Sequence, residues 1–241
     1  MKKSILFSML VVGATLLQAQ SITVHQTCRQ NGQVVKVQAV DLGLSVKWAN
    51  MNVGATTPEG YGDYFAWGET STKETYDRST YLDTNVGGST FTKYNNKDGK
   101  TTLDPEDDAP HVNWGGSWRM PTMAEWRELI DNCTWTWTTQ NGIKGCKVTS
   151  NKAGYTDKFI FLPAAGHSYK GFIRSVGSLG LYWSSSLGFY WSSSLYDSFY
   201  ALLLNFDSAS RYPYDYDDDY YDDEEDYNER SCGQSVRPVL P

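Results

Sequence analysis

In several segments of this chain, apolar residues recur with a period of two rather than a helical period, the spacing that places one face of a β-strand in a core. ITVHQTC and QVVKVQAV read as two short strands joined around Asn31-Gly32, a strong turn pair. In DLGLSVKWANMNVGA, Leu44, Val46 and Trp48 alternate with Ser45, Lys47 and Ala49, which predicts a half-buried strand. Gly54, Pro58, Gly60 and Gly62 interrupt the pattern, and DYFAWGET follows as a second aromatic strand candidate. Residues 70–117 read as a long polar loop excursion. Trp135 and Trp137 share a strand face before a turn at Asn141-Gly142, and KFIFLPAAG supplies another strand that ends at Pro163 and Gly166. In YALLLNF, residues Tyr200, Leu202, Leu204 and Phe206 fall on one alternating face, and SVRPVL closes the chain.

One segment follows a helical pattern instead. In WRMPTMAEWRELIDNC, Thr122 and Glu125 have capping-box spacing, Pro121 precedes the cap, and Trp126, Leu129 and Ile130 form an i, i+3, i+4 apolar face. The spacing predicts a short helix over about 123–132, with Glu125 as a cap rather than a catalytic acid. The fold class is therefore α+β: mainly short strands with one or two short helices and long loops.

Lys2 and Lys3 precede a mostly apolar run from Ile5 to Leu17, and Ala19 is small. Residues 1–19 thus read as a signal peptide cleaved before Gln20. No later stretch reaches 18 consecutive apolar residues. These features predict an exported protein, secreted, periplasmic or associated with the cell surface, with no transmembrane segment after cleavage. In that setting Cys28, Cys133, Cys146 and Cys232 are structural disulfides or buried thiols, because their spacing fits no paired redox or zinc motif.

Charge is concentrated in one place. Residues 211–230 hold seven Asp and three Glu against two Arg, a net of −8, whereas the whole chain carries −7. A near-neutral body with one acidic block disfavours nucleic acid, whose phosphates need a basic patch. Six tyrosines are interspersed among those acids. Taken alone, DDDYYDDEED reads as a self-repelling disordered block. Because SCGQSVRPV follows it, a tethered loop or strand pair is the better reading.

Candidate chemistry is sparse. His25, His111 and His167 sit in separate contexts, and Ser184–Ser186 and Ser192–Ser194 lack a glycine-flanked nucleophile elbow. No phosphate-binding loop or dinucleotide fingerprint occurs, so no catalytic residues and no cofactor are assigned. Asp104, Asp107 and Asp108 could contact calcium, although they lack the glycine and terminal glutamate of a helix-loop-helix site, and a solvated turn is the simpler reading. Weak calcium binding by the acidic run is the other option. The pentapeptide YWSSS occurs twice, from Tyr182 and from Tyr190, with Leu after each copy. The second copy fits a scaffold strand because YALLLNF follows it, and the first is the anomaly. Trp183 and Trp191 are simplest as β-core residues.

Together, DLGLSVKWANMNVGA, YFAWGET, HVNWGGSWRMPTMAEWRELI, FIFLPAAG, YWSSSL and CGQSVRPV resemble the Fibrobacter succinogenes major paralogous domain family, which is widespread in exported proteins of Bacteroidetes. The resemblance covers residues 41–241, with 20–40 as an N-terminal β segment. It implies a C-type-lectin-like fold, and Trp118, Arg119, Pro121, Thr122, Glu125 and Trp126 also resemble a helix start of formylglycine-generating-enzyme-like domains. The single Cys232 near the end does not supply the cysteine pair of those oxidases. A further resemblance is to the variable proteins of diversity-generating retroelements. It implies a hypervariable recognition surface at Tyr196, Asp197, Tyr212, Tyr214, Asp215, Tyr216, Asp217, Tyr220, Tyr221, Asp222, Tyr227 and Asn228. The expected function is ligand binding or adhesion toward a protein or glycan. A secreted glycan- or protein-modifying enzyme and a structural component of a surface assembly are the alternatives.

Overall fold

The computed structural model describes residues 20–26, 33–82, 91–177, 188–195, 197, 199–206, 211–213 and 229–241. The leader, Cys28, the Asn31-Gly32 pair and the first YWSSSL copy lie outside the described residues. Within them the architecture is a mixed α+β fold of short antiparallel sheets and few short helices. No helix among them is long and apolar enough to cross a membrane.

Strands β1 (Gln20–Gln26) and β2 (Gln33–Val40) pair antiparallel, in the order the sequence suggested. β2 then pairs with β3 (Lys47–Ala49), and β3 with the final strand β13 (Val239–Leu240), so both ends of the described chain share one four-stranded sheet. β3 is shorter than the predicted strand, because Gly43 sits at φ 72° and the Asp41 carboxylate accepts its amide in a turn. DYFAWGET is not a strand. Tyr64, Phe65, Ala66 and Trp67 are all buried, and only Phe65 pairs, exchanging both backbone bonds with Gln234.

The segment 70–117 is less irregular than its composition suggests. Pro105–Asp107 forms a 3₁₀ turn and α1 (Ala109–Trp114) follows, capped by the Asp108 side chain, which accepts from the His111 amide. Asp108 also accepts from the Met120 amide and is buried, so the solvated-turn reading fails for this residue. Burial raises its carboxyl to about 6, against the pull of those two amides.

Helix α2 (Met123–Asn132) bears out the sequence signal. Thr122 accepts from the Glu125 amide while Glu125 accepts from the Thr122 amide, and Arg119 grips the Glu125 carboxylate with both terminal nitrogens. Glu125 therefore has the predicted capping role. The helix is followed by a meander of β4 (Cys133–Gln140), β5 (Ile143–Ser150) and β6 (Phe159–Pro163). The β4–β5 turn needs two residues at positive φ, and Asn141 at 48° and Gly142 at 85° supply them. Two small sheets complete the body: β12 (Gly233–Gln234) with β7 (His167–Tyr169) and β8 (Phe172–Arg174), and β11 (Arg211–Pro213) with β10 (Ala201–Phe206) and β9 (Gly188–Leu195).

The second YWSSSL copy is thus the scaffold strand, as its position before YALLLNF implied. β10 is buried on both faces rather than one. Leu202, Leu204 and Phe206 face a cluster with Trp48, Trp126, Leu129 and Tyr190, whereas Ala201 and Leu203 face a second cluster with Phe65, Trp67 and Tyr94. Trp48 packs 4.5 Å from Trp126, and the Tyr190 ring stacks on Phe206. Truncating a sealed aromatic residue of this kind to alanine typically costs ~3–5 kcal/mol. Cys133, Cys146 and Cys232 are buried thiols rather than disulfides, and burial pushes Cys133 up to about 11 and Cys232 up to about 12. Neither of those two is an activated thiolate near neutral pH.

Candidate recognition site

Among the sequence-predicted recognition residues, Asp197 and the backbone of Tyr212 are described. Asp197 is exposed at the turn before β10, where its carboxylate accepts from the Phe199 and Tyr200 amides at 2.7 and 2.8 Å. Tyr212 lies in β11 and pairs with Asn205 of β10. Tyr196, Tyr214, Asp215, Tyr216, Asp217, Tyr220, Tyr221, Asp222, Tyr227 and Asn228 lie outside the described residues.

The described chain on either side of the acid–tyrosine segment is firmly held. On the upstream side, Arg211, Tyr212 and Pro213 pair with Phe206, Asn205 and Leu204. On the downstream side, Glu229 bridges Tyr200, and the Arg230 amide donates to the Phe199 carbonyl at 3.1 Å. The Arg78 guanidinium adds an ion pair to Glu229 at 2.8 Å. These two feet lie toward opposite ends of the same strand, β10.

Arg230 is the chief device of the downstream foot, and its side chain is fully buried. Its guanidinium carbon lies 4.4 Å from the Phe91 ring centroid, 4.9 Å from Trp67, 5.4 Å from Tyr81 and 5.7 Å from Tyr94. Its nitrogens donate to the Lys93 and Tyr94 carbonyls and to the Tyr81 hydroxyl. Ring faces stabilise a cation that burial would otherwise penalise, and the planar fork adds directed hydrogen bonds. The Trp67 backbone amide donates to the Arg230 carbonyl, and the Trp67 indole donates to the Ser192 carbonyl of β9. The cage therefore joins the downstream foot, the stretches 76–82 and 91–94, and strand β9.

No residue of this cage stands out in the sequence as a site. The available signal is compositional: Tyr76, Tyr81, Phe91 and Tyr94 punctuate a polar stretch that has no strand period, and Glu229-Arg230 separates the acidic run from SCGQSVRPV. Tyrosines in such a stretch fold inward when their hydroxyls find backbone partners. Tyr76 donates to the Tyr64 carbonyl and Tyr81 to that of Trp67. At the rim, the partly exposed Phe199 ring packs edge-on against Phe91 and beneath Arg78, and Leu82 is exposed.

Beside the cage, Asp104, Glu106 and Asp107 each place a carboxylate oxygen within 4.8 Å of the others. That spacing is compatible with weak calcium-type coordination by hard oxygen donors. In the structure Lys93 pairs with all three, and Lys100 pairs with Asp104. Burial works against the charge on Lys93, but the Asp107 and Asp104 carboxylates outweigh it and hold its pKa well above the ordinary lysine value. A calcium ion would have to compete with that ammonium. Asp108, the third predicted acid, is instead the α1 cap and also accepts from the Met120 amide.

A depression lined by Glu69, Lys73, Thr75, Thr80 and Leu82 opens nearby, and Lys73 is paired with Glu69 across it. Among the described residues, neither His111 nor His167 belongs to a cluster of three groups at metal-ligand spacing. No family model, curated protein or solved structure matches the chain.

Proposed function

We propose that this chain is an exported ligand-binding or adhesion protein whose acid–tyrosine segment forms its recognition loop, on a C-type-lectin-like scaffold of the Fibrobacter succinogenes major paralogous type. The observation that carries this reading is the anchoring of the chain at both sides of that segment, by β11 on β10 and by Arg230 in its aromatic cage. Fifteen residues, 214–228, connect two feet that β10 holds roughly 13 Å apart, four residues at ~3.3 Å each. That contour is far longer than the gap requires. Tyrosine brings large contact area with few rotatable bonds, and carboxylates bring directional acceptors and long-range attraction for cationic partners. Export rests on the leader, and hypervariability of the segment rests on its Tyr, Asp and Asn content.

The test is binding of the mature protein to glycan and surface-protein arrays, with and without calcium, alongside a variant carrying serine in place of the six tyrosines between 212 and 227. The loop reading expects binding that the serine variant loses at least tenfold. Equal binding by both proteins would remove the acid–tyrosine segment from the site. The enzyme and surface-assembly alternatives draw no specific observation from the described residues.

A further inference from the structure

Hairpin β7–β8 turns at Lys170 and Gly171, which sit at φ 50° and 78°, the two positive values that a tight two-residue turn requires. Its outer strand, β8, is the edge of its sheet, in the order β12-β7-β8, and all three of its residues are exposed. Phe172 is 67% exposed and Ile173 54%. We propose that this hairpin is a docking tip for an anionic phospholipid surface, with Phe172 and Ile173 entering the interface and Lys170 and Arg174 meeting its phosphates.

Successive side chains on a strand point to opposite faces, and directly paired residues share a face. Phe172 therefore lies beside its partner Tyr169, and Arg174 beside His167, whereas Ile173 lies on the other face with Ser168. A flat partner surface covers one face of a strand and leaves the other side chain in water. A lipid interface closes around an edge from both sides and buries both. The rest of the tip has the chemistry of such an interface. The Tyr169 ring is half-buried with a polar hydroxyl at its end, and the exposed Lys170 ammonium lies 4.9 Å from the ring centroid.

The tip is already held in place, so little order has to be gained on docking. The Lys170 amide donates to the Tyr76 carbonyl at 2.9 Å, and β7 pairs with β12. At the base Gly166, at φ 61°, runs so close to the Arg174 carbonyl that a Cβ would lie 1.9 Å from its oxygen. Charge sets the sign of the surface. Between Asp157 and Asp197 the chain carries Lys158, Lys170 and Arg174 and no acid, although the whole carries −7. The bracing loop adds a Lys73–Glu69 pair that cancels itself and one exposed acid, Glu74. β8 stands two strand spacings, roughly 10 Å, from β12, the strand that follows the downstream foot. That is about one Debye length in physiological salt, so the two cations of the tip set the local attraction more than the net charge of the chain does.

Co-sedimentation of the mature protein with vesicles tests this, using phosphatidylcholine alone or with one third phosphatidylglycerol. Two apolar side chains and two cations make a weak, reversible anchor, so lipid is kept in large excess. The expected result is at least tenfold more protein on the anionic vesicles, released as salt rises from about 0.1 to 1 M and the Debye length shrinks from about 10 to 3 Å. Phe172→Ser with Ile173→Ser, and Lys170→Asn with Arg174→Gln, should each lose binding at least tenfold at an unchanged Tm, asparagine being suited to the positive φ at 170. Glu74→Gln should bind more tightly. Equal sedimentation with both vesicle types, or anionic binding that salt leaves intact, would overturn the proposal from the wild-type protein alone. Folded hairpin variants that bind like wild type would do the same. Capture on the surface-protein array that the Phe172 and Ile173 variant loses, with no vesicle binding, would make the hairpin a protein contact instead. The serine variant of the acid–tyrosine segment should still bind vesicles fully, whether or not it loses its array ligand; loss of vesicle binding in that variant would place the lipid contact outside the hairpin.

Discussion

Arg230 and Arg237 are seven residues apart, and both are sealed from water, but they are held in different ways. Arg237 donates to Asn52 Oδ1, the Ala49 carbonyl and the Phe161 carbonyl, at 2.8 to 3.0 Å. Those acceptors belong to separate sheets and the connection beside them, so Arg237 ties β3, β6 and the chain after β3 together. Arg230 is held largely by ring faces on a long excursion, and it secures one foot of a surface segment. Arg237 therefore ties strands of two sheets to each other, whereas Arg230 ties one foot of the surface segment to the core cluster through Trp67 and Tyr94.

The largest effect that sharpens this contrast is expected from Arg237→Met. It leaves three buried oxygens without their donor, at ~1–3 kcal/mol each, so urea denaturation should show stability falling by about 3–5 kcal/mol. Arg230→Met removes a desolvated cation–π arrangement worth about 2 kcal/mol and also leaves the Tyr94 carbonyl and the Tyr81 hydroxyl without this donor, so its global loss should approach that of Arg237→Met. Its distinguishing mark is limited proteolysis: cleavage between residues 207 and 229 should quicken several-fold in Arg230→Met at a denaturant concentration where the core is intact. Equal losses from both variants, with no local cleavage, would erase the distinction.

The smallest effect is a control on a third buried charge outside both regions. Asp108 has a folded-state pKa raised to about 6, above its unfolded value near 4. Between those values the folded state binds more protons than the unfolded state, so stability falls as pH rises through that window. Below about pH 4 the contribution of the neutral carboxyl is complete; above about pH 6 it is lost. Relative to wild type, Asp108→Asn should flatten this slope by roughly 1–2 kcal/mol across pH 4 to 6, as read from Tm or urea midpoints. A wild-type curve parallel to that of the variant would show that the carboxyl ionises normally.

Local signals in the sequence were legible where neighbouring residues settle the structure between themselves. The capping box of Thr122 and Glu125, the Asn141-Gly142 turn and the 202, 204, 206 face of β10 are examples. DYFAWGET misled because burial on every side leaves no polar alternation, and its single pairing comes from Gln234, far along the chain. The 105–114 helical stretch was missed because its cap, Asp108, resembles any loop aspartate until Met120 packs over it. The candidate site was legible at its acid–tyrosine segment but not at its anchor, since Arg230 is one arginine among many without its cage.

From sequence alone came the α+β class, the helix at 123–132, the acidic block and the choice of the second YWSSSL copy as scaffold. Each depends on periodicity, charge or residue order, which a linear chain displays directly. Only tertiary structure decided that β10 is buried on both faces, that Asp108 is sealed, that Lys93 occupies the acidic cluster and that four rings converge on Arg230. Those outcomes join residues from about ten to more than a hundred positions apart, and no local pattern encodes which distant surface will cover a side chain.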